Sequence, residues 1–157
     1  MAPRTLGEPT RCLMVRCTVE KLTARLVRGC EKKRKEIMEL DIKLLPWQTE
    51  VWEDPTRFKV IAAGRRCGKS RYAAYRIMVE ALTHTKGEFF YVAPTQAQAR
   101  DIMWKSLLEI GGDLVSKAHI NNLQITLVNG SMISLKGGDR PDTMRGVSLK
   151  FLVMDEV

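Results

Sequence analysis

At 157 residues the chain has room for one domain, and its 45% hydrophobic content is ordinary for a globular protein. Its apolar stretches are far too short to span a bilayer, and nothing near Met1 resembles a signal peptide's apolar core, which argues against a membrane protein. Of the net charge of +8, six units fall within residues 1–36, which hold ten Lys/Arg against four Asp/Glu.

Residues 1–40 read as a basic arm, partly helical or disordered. Pro3, Gly7 and Pro9 open it, and a helical pattern runs from about Glu31 to Leu40. Its run Lys32-Lys33-Arg34-Lys35 is suited to nucleic-acid phosphates, although the flanking Glu31 and Glu36 fit a solvated helix face better. The four cysteines (Cys12, Cys17, Cys30, Cys67) show no C-x-x-C spacing, and His84 and His119 are the only histidines. A zinc site is therefore not expected, and free thiols in a reducing compartment are.

The domain proper is expected over 41–157. After Leu44-Leu45-Pro46-Trp47-Gln48 and a turn at Glu53-Asp54-Pro55, the apolar run Phe58–Ala63 is predicted as a buried strand. It leads into Gly64-Arg65-Arg66-Cys67-Gly68-Lys69-Ser70, a variant of the phosphate-loop pattern with Ala63 in place of the first glycine. Such a loop needs glycine where backbone N–H groups must turn inward on a polyphosphate. The next helix offers its N-terminal amides and positive dipole end to the same anion. Lys69 would reach the β- and γ-phosphate oxygens of ATP, and Ser70 would place its hydroxyl on Mg²⁺. Ala73, Ala74, Ile77, Met78, Ala81 and Leu82 then predict a helix from Lys69 to about Thr83.

Phe89–Ala93 is predicted as the second strand, and Thr95-x-x-Gln98 as the capping box of a helix closed by Gly111-Gly112. Leu123–Leu135 reads as a hairpin turning at Asn129-Gly130, with positive φ at both turn residues and Val128 opposite Ser131. That register puts Ile125, Leu127 and Met132 on one face, and Thr126, Val128, Ile133 and Leu135 on the other. After a polar loop over 137–146, Leu149–Met154 is predicted as the last strand, ending in Asp155-Glu156. Carboxylates at the carboxyl end of a buried strand sit where open α/β sheets bind ligands. Asp155 would hold Mg²⁺, usually through water because this hard ion keeps its own waters, and Glu156 would orient the attacking water. The alternation of strands and helices around the loop predicts an α/β fold with a mostly parallel sheet.

These motifs, in this order, resemble the N-terminal ATPase domain of the large terminase subunit of tailed bacteriophages, over Leu45–Val157. The resemblance rests on Pro46-x-Gln48, on Arg57-Phe58-Lys59-Val60 with the Arg-bearing loop, on the Asn129-Gly130-Ser131 hairpin and Arg145-Gly146, and on Leu152–Glu156. It implies an additional-strand, RecA-like phosphate-loop NTPase that hydrolyses ATP to move double-stranded DNA into procapsids. It further implies that Gln48 reads adenine and that Gly64, Arg65, Arg66, Cys67, Gly68, Lys69 and Ser70 wrap the nucleotide. Arg65 or its neighbour Arg66 would sense the γ-phosphate; Glu156, Arg65 and Lys69 would act in hydrolysis, and Ser70 and Asp155 would hold the metal. The implied partners are DNA, a portal protein and a small terminase subunit, in a ring of copies, without membrane attachment, in the host bacterial cytoplasm.

Family members continue past the acidic pair with a coupling motif and a nuclease domain, so an N-terminal piece, weakly active or inactive alone, is the expectation. The family's next strand would also lie between the phosphate-loop strand and the acidic strand, so these two could not be spaced by this sequence alone. A superfamily-2-like helicase or other DNA translocase shares Gln48, Lys69, Pro94-Thr95 and Asp155-Glu156. A non-catalytic remnant of a terminase gene is the third reading.

Overall fold

The computed structural model describes residues 12–18, 21–27 and 38–156. Strands β1 (Cys12–Thr18), β2 (Lys21–Val27) and β3 (Met38–Ile42) form an antiparallel three-stranded sheet in the order β1-β2-β3. The partly helical reading of the arm is corrected here. Within the described residues it is extended chain, and of the helix expected from Glu31 to Leu40 the end is β3, while residues 31–37 lie outside the described residues. The physical cause is an alternation of period two: Leu13, Val15 and Cys17 stand opposite Leu26, Ala24 and Leu22 in the register. β3 crosses the expected domain boundary at residue 40, and its Leu40 and Ile42 are buried in the main core.

Helix α1 (Pro46–Glu53) starts with proline at its first position, where no N–H is needed. Helix α2 (Lys69–Thr83) has the predicted bounds. β4 (Glu88–Ala93) follows, and Thr95 caps the next helix by accepting from Gln98 N at 3.3 Å. That helix runs as α3 (Gln96–Ala99), a π turn over Arg100–Trp104, and α4 (Lys105–Gly111). β5 (Val115–His119), β6 (Gln124–Leu127), β7 (Met132–Gly137) and β8 (Leu149–Met154) complete the chain.

The second sheet has the order β5-β6-β7-β4-β8, with β4 parallel to both β7 and β8, and β6 antiparallel to β5 and β7. It is therefore a mixed α/β sheet with three parallel strands and a hairpin that extends it. The core lies where α2 and the α3–α4 helix meet Phe89, Tyr91, Ile125, Leu127, Ile133 and Leu135.

Two further expectations are corrected. The hairpin pairs Ile125 with Ile133 and Thr126 with Met132, one residue away from the predicted register. Ile125, Leu127, Ile133 and Leu135 consequently share the buried face. Only Gly130 has positive φ (82°), with Gly130 N donating to Leu127 O at 2.9 Å. The turn is set by Asn129, whose buried amide donates to the carbonyls of Ala81, Leu82 and His84 at the end of α2.

The strand predicted over Phe58–Ala63 does not form. These residues pair with no strand among the described residues, and Phe58 and Val60 are 78% and 99% exposed. The segment instead lies along α1, where the Lys59 ammonium binds the carbonyls of Val51 and Asp54 at the helix's C-terminal end. A cleft of about 450 Å³ opens between the two.

Candidate functional site

The carboxyl ends of the parallel strands define one edge of the sheet, with Ala93, Gly137 and Met154 reaching it and Asp155 just beyond. There the end of β7 passes so close to the start of α3 that a Cβ on Gly137 would lie 2.6 Å from Gln96 N. α2 runs to the opposite edge. Its last carbonyls are held by Asn129, and Ser131 Oγ accepts from Gly87 N at 3.3 Å, beside the first residues of β4 and β7. A helix of 15 residues spans about 22 Å, so Lys69 and Ser70 at its start lie toward the edge that carries Asp155. The glycine-rich loop and the acidic pair thus share one side of the sheet.

The loop has two residues in the left-handed region, Arg66 at φ 62° and Gly68 at φ 80°. Arginine at such a φ is strained by roughly 1–2 kcal/mol, a cost found at ligand-binding turns. Gly68 is the N-cap of α2 and has no side chain to cap it, whereas Gln48 serves α1 and Thr95 serves α3. The first amides of α2 are left to water or to an anion, which is the arrangement that binds phosphate. The Lys69 ammonium donates to Ala63 O at 2.7 Å and so folds back over its own loop. Arg65 and Arg66 are exposed, Gly64 is exposed, and the free thiol of Cys67 is half-buried.

Gln48 is buried at 3% exposure and both ends of its amide are engaged. Oε1 accepts from Leu45 N at 2.9 Å, and Nε2 donates to Gly68 O at 3.1 Å. This residue, expected to face a nucleotide base, ties α1 to the loop. α1 is fixed on α2 by Trp47 and Trp52, whose rings lie 5.7 and 6.0 Å from that of Tyr72.

At the other half of the site, Asp155 N donates to Val92 O at 2.8 Å, and Tyr91 Oη donates to Asp155 Oδ2 at 2.7 Å. Burial pushes the Tyr91 hydroxyl well above the usual tyrosine range, and the bond to Asp155 and its charge add to that, so the phenol stays a donor. Glu156 has φ 54°, which ends the strand's alternation directly after Asp155. Tyr91 was not among the residues the sequence singled out for the site. Its signal was the spacing of two parallel strands, which only the sheet register reveals.

The donor set suits magnesium. A serine hydroxyl and a carboxylate are hard oxygen ligands, and Mg²⁺ takes few protein ligands beside phosphate and water. The described residues contain no cluster of three or more His, Cys, Asp or Glu that could hold a metal ion. Arg145, placed by sequence before the last strand, forms an exposed pair with Asp142 at 3.2 Å, and Gly146 turns the chain at φ 76°. Trp104 packs on the core.

Among solved structures, the chain is similar to the large terminase ATPase domain of Thermus phage P74-26, with a TM-score of 0.61 and 22% identity over 72% of this chain. A point mutant of the same domain matches equally. The chain spans 53% of the length of those relatives, and at this identity the likeness shows the fold. No curated protein matches the chain. No helix of the described residues is long and apolar enough to cross a membrane. The family model described as "Terminase large subunit, T4likevirus-type, N-terminal" matches residues 60–157, from the segment before the loop to the acidic pair. With well over half of its length covered, the chain belongs to the terminase large subunit family.

Proposed function

We propose that this chain is the ATP-binding part of a phage DNA-packaging motor, a phosphate-loop NTPase in which the loop 64–70 and the pair Asp155-Glu156 share one nucleotide. What supports the reading is the uncapped start of α2, which the helix length carries toward the sheet edge where Asp155 follows β8. Amides, a dipole end and an ammonium from the loop, with a carboxylate from the end of β8, are the groups a metal–triphosphate needs.

The Lys69 ammonium exchanges its bond to Ala63 O for bonds to β- and γ-phosphate oxygens. Ser70 and Asp155 would hold magnesium, whose charge would offset that of the phosphates. Glu156 accepts a hydrogen bond from the attacking water and orients it. Arg65 or Arg66, both exposed in the loop, stabilises the γ-phosphate charge. Double-stranded DNA, a portal protein, a small subunit and further copies of the chain are the partners this reading calls for, in the host bacterial cytoplasm.

The test is ATP binding by the purified chain, with Lys69→Ala as control, beside DNA-stimulated hydrolysis by the full-length protein. The reading expects ATP binding in the parent that Lys69→Ala loses, and in the full-length protein Glu156→Gln retains ATP binding and loses turnover. Equal ATP affinity in the parent and Lys69→Ala would overturn it.

A further inference from the structure

β4 and β8 are parallel, with Tyr91 opposite Val153. Asp155, two residues further along β8, is therefore the same-face diagonal neighbour of Tyr91. Diagonal neighbours are separated by about 7–8 Å, beyond the reach of a serine or threonine hydroxyl and within that of a phenol. The Tyr91 hydroxyl meets Asp155 Oδ2 at 2.7 Å. Its ring is fully buried among the residues packed under α2, and its strand is paired on both sides, with Leu135 and with Val153. Asp155 is tied to β4 a second time through its own N–H on Val92 O. A side chain with two torsions, locked by core packing, thus fixes one oxygen of the carboxylate at the edge that holds the loop.

We propose that Tyr91 is a positioning residue for Asp155: its hydroxyl occupies Oδ2 and presents Oδ1, in one orientation, to the nucleotide-bound metal. The inference rests on the reading of Asp155 as a magnesium ligand. A carboxylate offers two oxygens, and one left to rotate can approach a cation through both. Magnesium demands near-ideal octahedral geometry, whereas larger cations accept a bidentate carboxylate. Holding Oδ2 on a phenol therefore favours single-oxygen ligation and the smaller ion. Outer-shell partners of this kind change metal affinity by about 10–100-fold when removed.

The test is Tyr91→Phe in the full chain, which deletes one oxygen and keeps the ring in the core. Free Mn²⁺ is counted by electron paramagnetic resonance in titrations with ATP present, and Mg²⁺ and Ca²⁺ are read by competition. The expected result is about 10–100-fold weaker Mn²⁺ binding, with preference shifted from Mg²⁺ toward Ca²⁺. ATP affinity in excess chelator and the melting profile stay near those of the parent. In an Asp155→Asn background the Phe substitution adds no further loss, because the group it positions is gone. Unchanged metal affinity in Tyr91→Phe, or the same loss with and without the Asp155 carboxylate, overturns the proposal. If Asp155→Asn leaves Mn²⁺ affinity untouched, Asp155 is not a metal ligand, and the proposal falls with that reading; this outcome is distinct from a failure of Tyr91 alone.

Discussion

Gln48 offers the sharpest separation between a residue that reads a base and one that builds the site. Its amide makes two bonds, to Leu45 N at 2.9 Å and to Gly68 O at 3.1 Å, and its side chain is buried. Gln48→Ala removes both. Each is worth about 1 kcal/mol net, and the lost packing of the γ-methylene and amide with a partly collapsed void adds up to a similar amount, giving about 2–4 kcal/mol. For a chain of this size that lowers the melting temperature by roughly 4–16 °C. The carbonyl that loses its side-chain donor is that of Gly68, the residue whose left-handed φ starts α2, so the loop loses its tie to α1. Loop ordering then has to be supplied by the ligand, and ATP and GTP weaken together, by about tenfold per 1.4 kcal/mol spent. The assay is binding of fluorescent ATP and GTP analogues to parent, Gln48→Ala and Gln48→Glu, beside urea unfolding of each. Gln48→Glu keeps the acceptor for Leu45 N but turns an oxygen toward Gly68 O, so it is expected to harm the loop as much as alanine does. A variant that loses ATP while keeping GTP would show the amide reading adenine, and a stability loss below about 1 kcal/mol would show these bonds unmade in solution.

Three further outcomes follow from the same contacts. Asn129→Ala is expected to cost about 2–3 kcal/mol in urea unfolding, because carbonyls of Ala81, Leu82 and His84 lose their donor at 2.7–3.1 Å; Asn129→Asp is expected to cost more, since it sets a negative charge at the negative end of α2. Gly68→Ala meets both a φ of 80° and a Cβ 3.0 Å from Gln48 Nε2, so circular dichroism should show the fold retained while nucleotide affinity drops at least about tenfold. Burial raises the Tyr72 phenol above its ordinary value near 10, so the folded state prefers the neutral form; its stability contribution is whole below that value and is lost as pH rises beyond it. Tyr72→Phe should therefore flatten the fall in urea midpoint between about pH 9 and 11, and an unchanged slope would contradict the assignment.

The sequence was most legible where one residue type forces one geometry. α2 begins at Lys69 because Gly68 takes a φ that other residues resist, and the helical stripe that follows is long enough to fix its far end at Thr83. β4 and β8 were readable because continuous apolar runs suit strands covered by a helix. β1 and β2 were missed although Leu13-x-Val15-x-Cys17 and Leu22-x-Ala24-x-Leu26 alternate, because the prolines and charges around them carry more weight in a reading by composition. The hairpin register slipped by one because Asn129 was taken as a turn former. Its amide belongs to the end of α2, some 45 residues away along the chain, and no local pattern reports that.

The segment over 58–63 failed for another reason, and it bears on the site. Val60-Ile61-Ala62-Ala63 has the composition of a buried strand, yet a strand is a property of a pair, and composition cannot supply the partner. Among the described residues β8 bonds to β4 alone, and along it Leu152 and Met154 stay 44% and 62% exposed. The family resemblance calls for one further strand between β8 and the segment before the loop, and none of the described residues fills that place. Without a ladder the apolar run gains nothing from extension, and Lys59 instead caps α1. The loop nevertheless keeps its shape, because its anchors, Gln48 on Gly68 O and Lys69 on Ala63 O, come from helices rather than from the sheet. A strand supplied along β8 should therefore draw residues 58–63 into a ladder, measurable as slowed amide exchange at Val60 and Ile61, without altering protection at the start of α2. If protection at Tyr72 N, which donates to Gly68 O, rises in step with theirs, the loop depends on the sheet after all, and its independent anchoring by α1 is wrong.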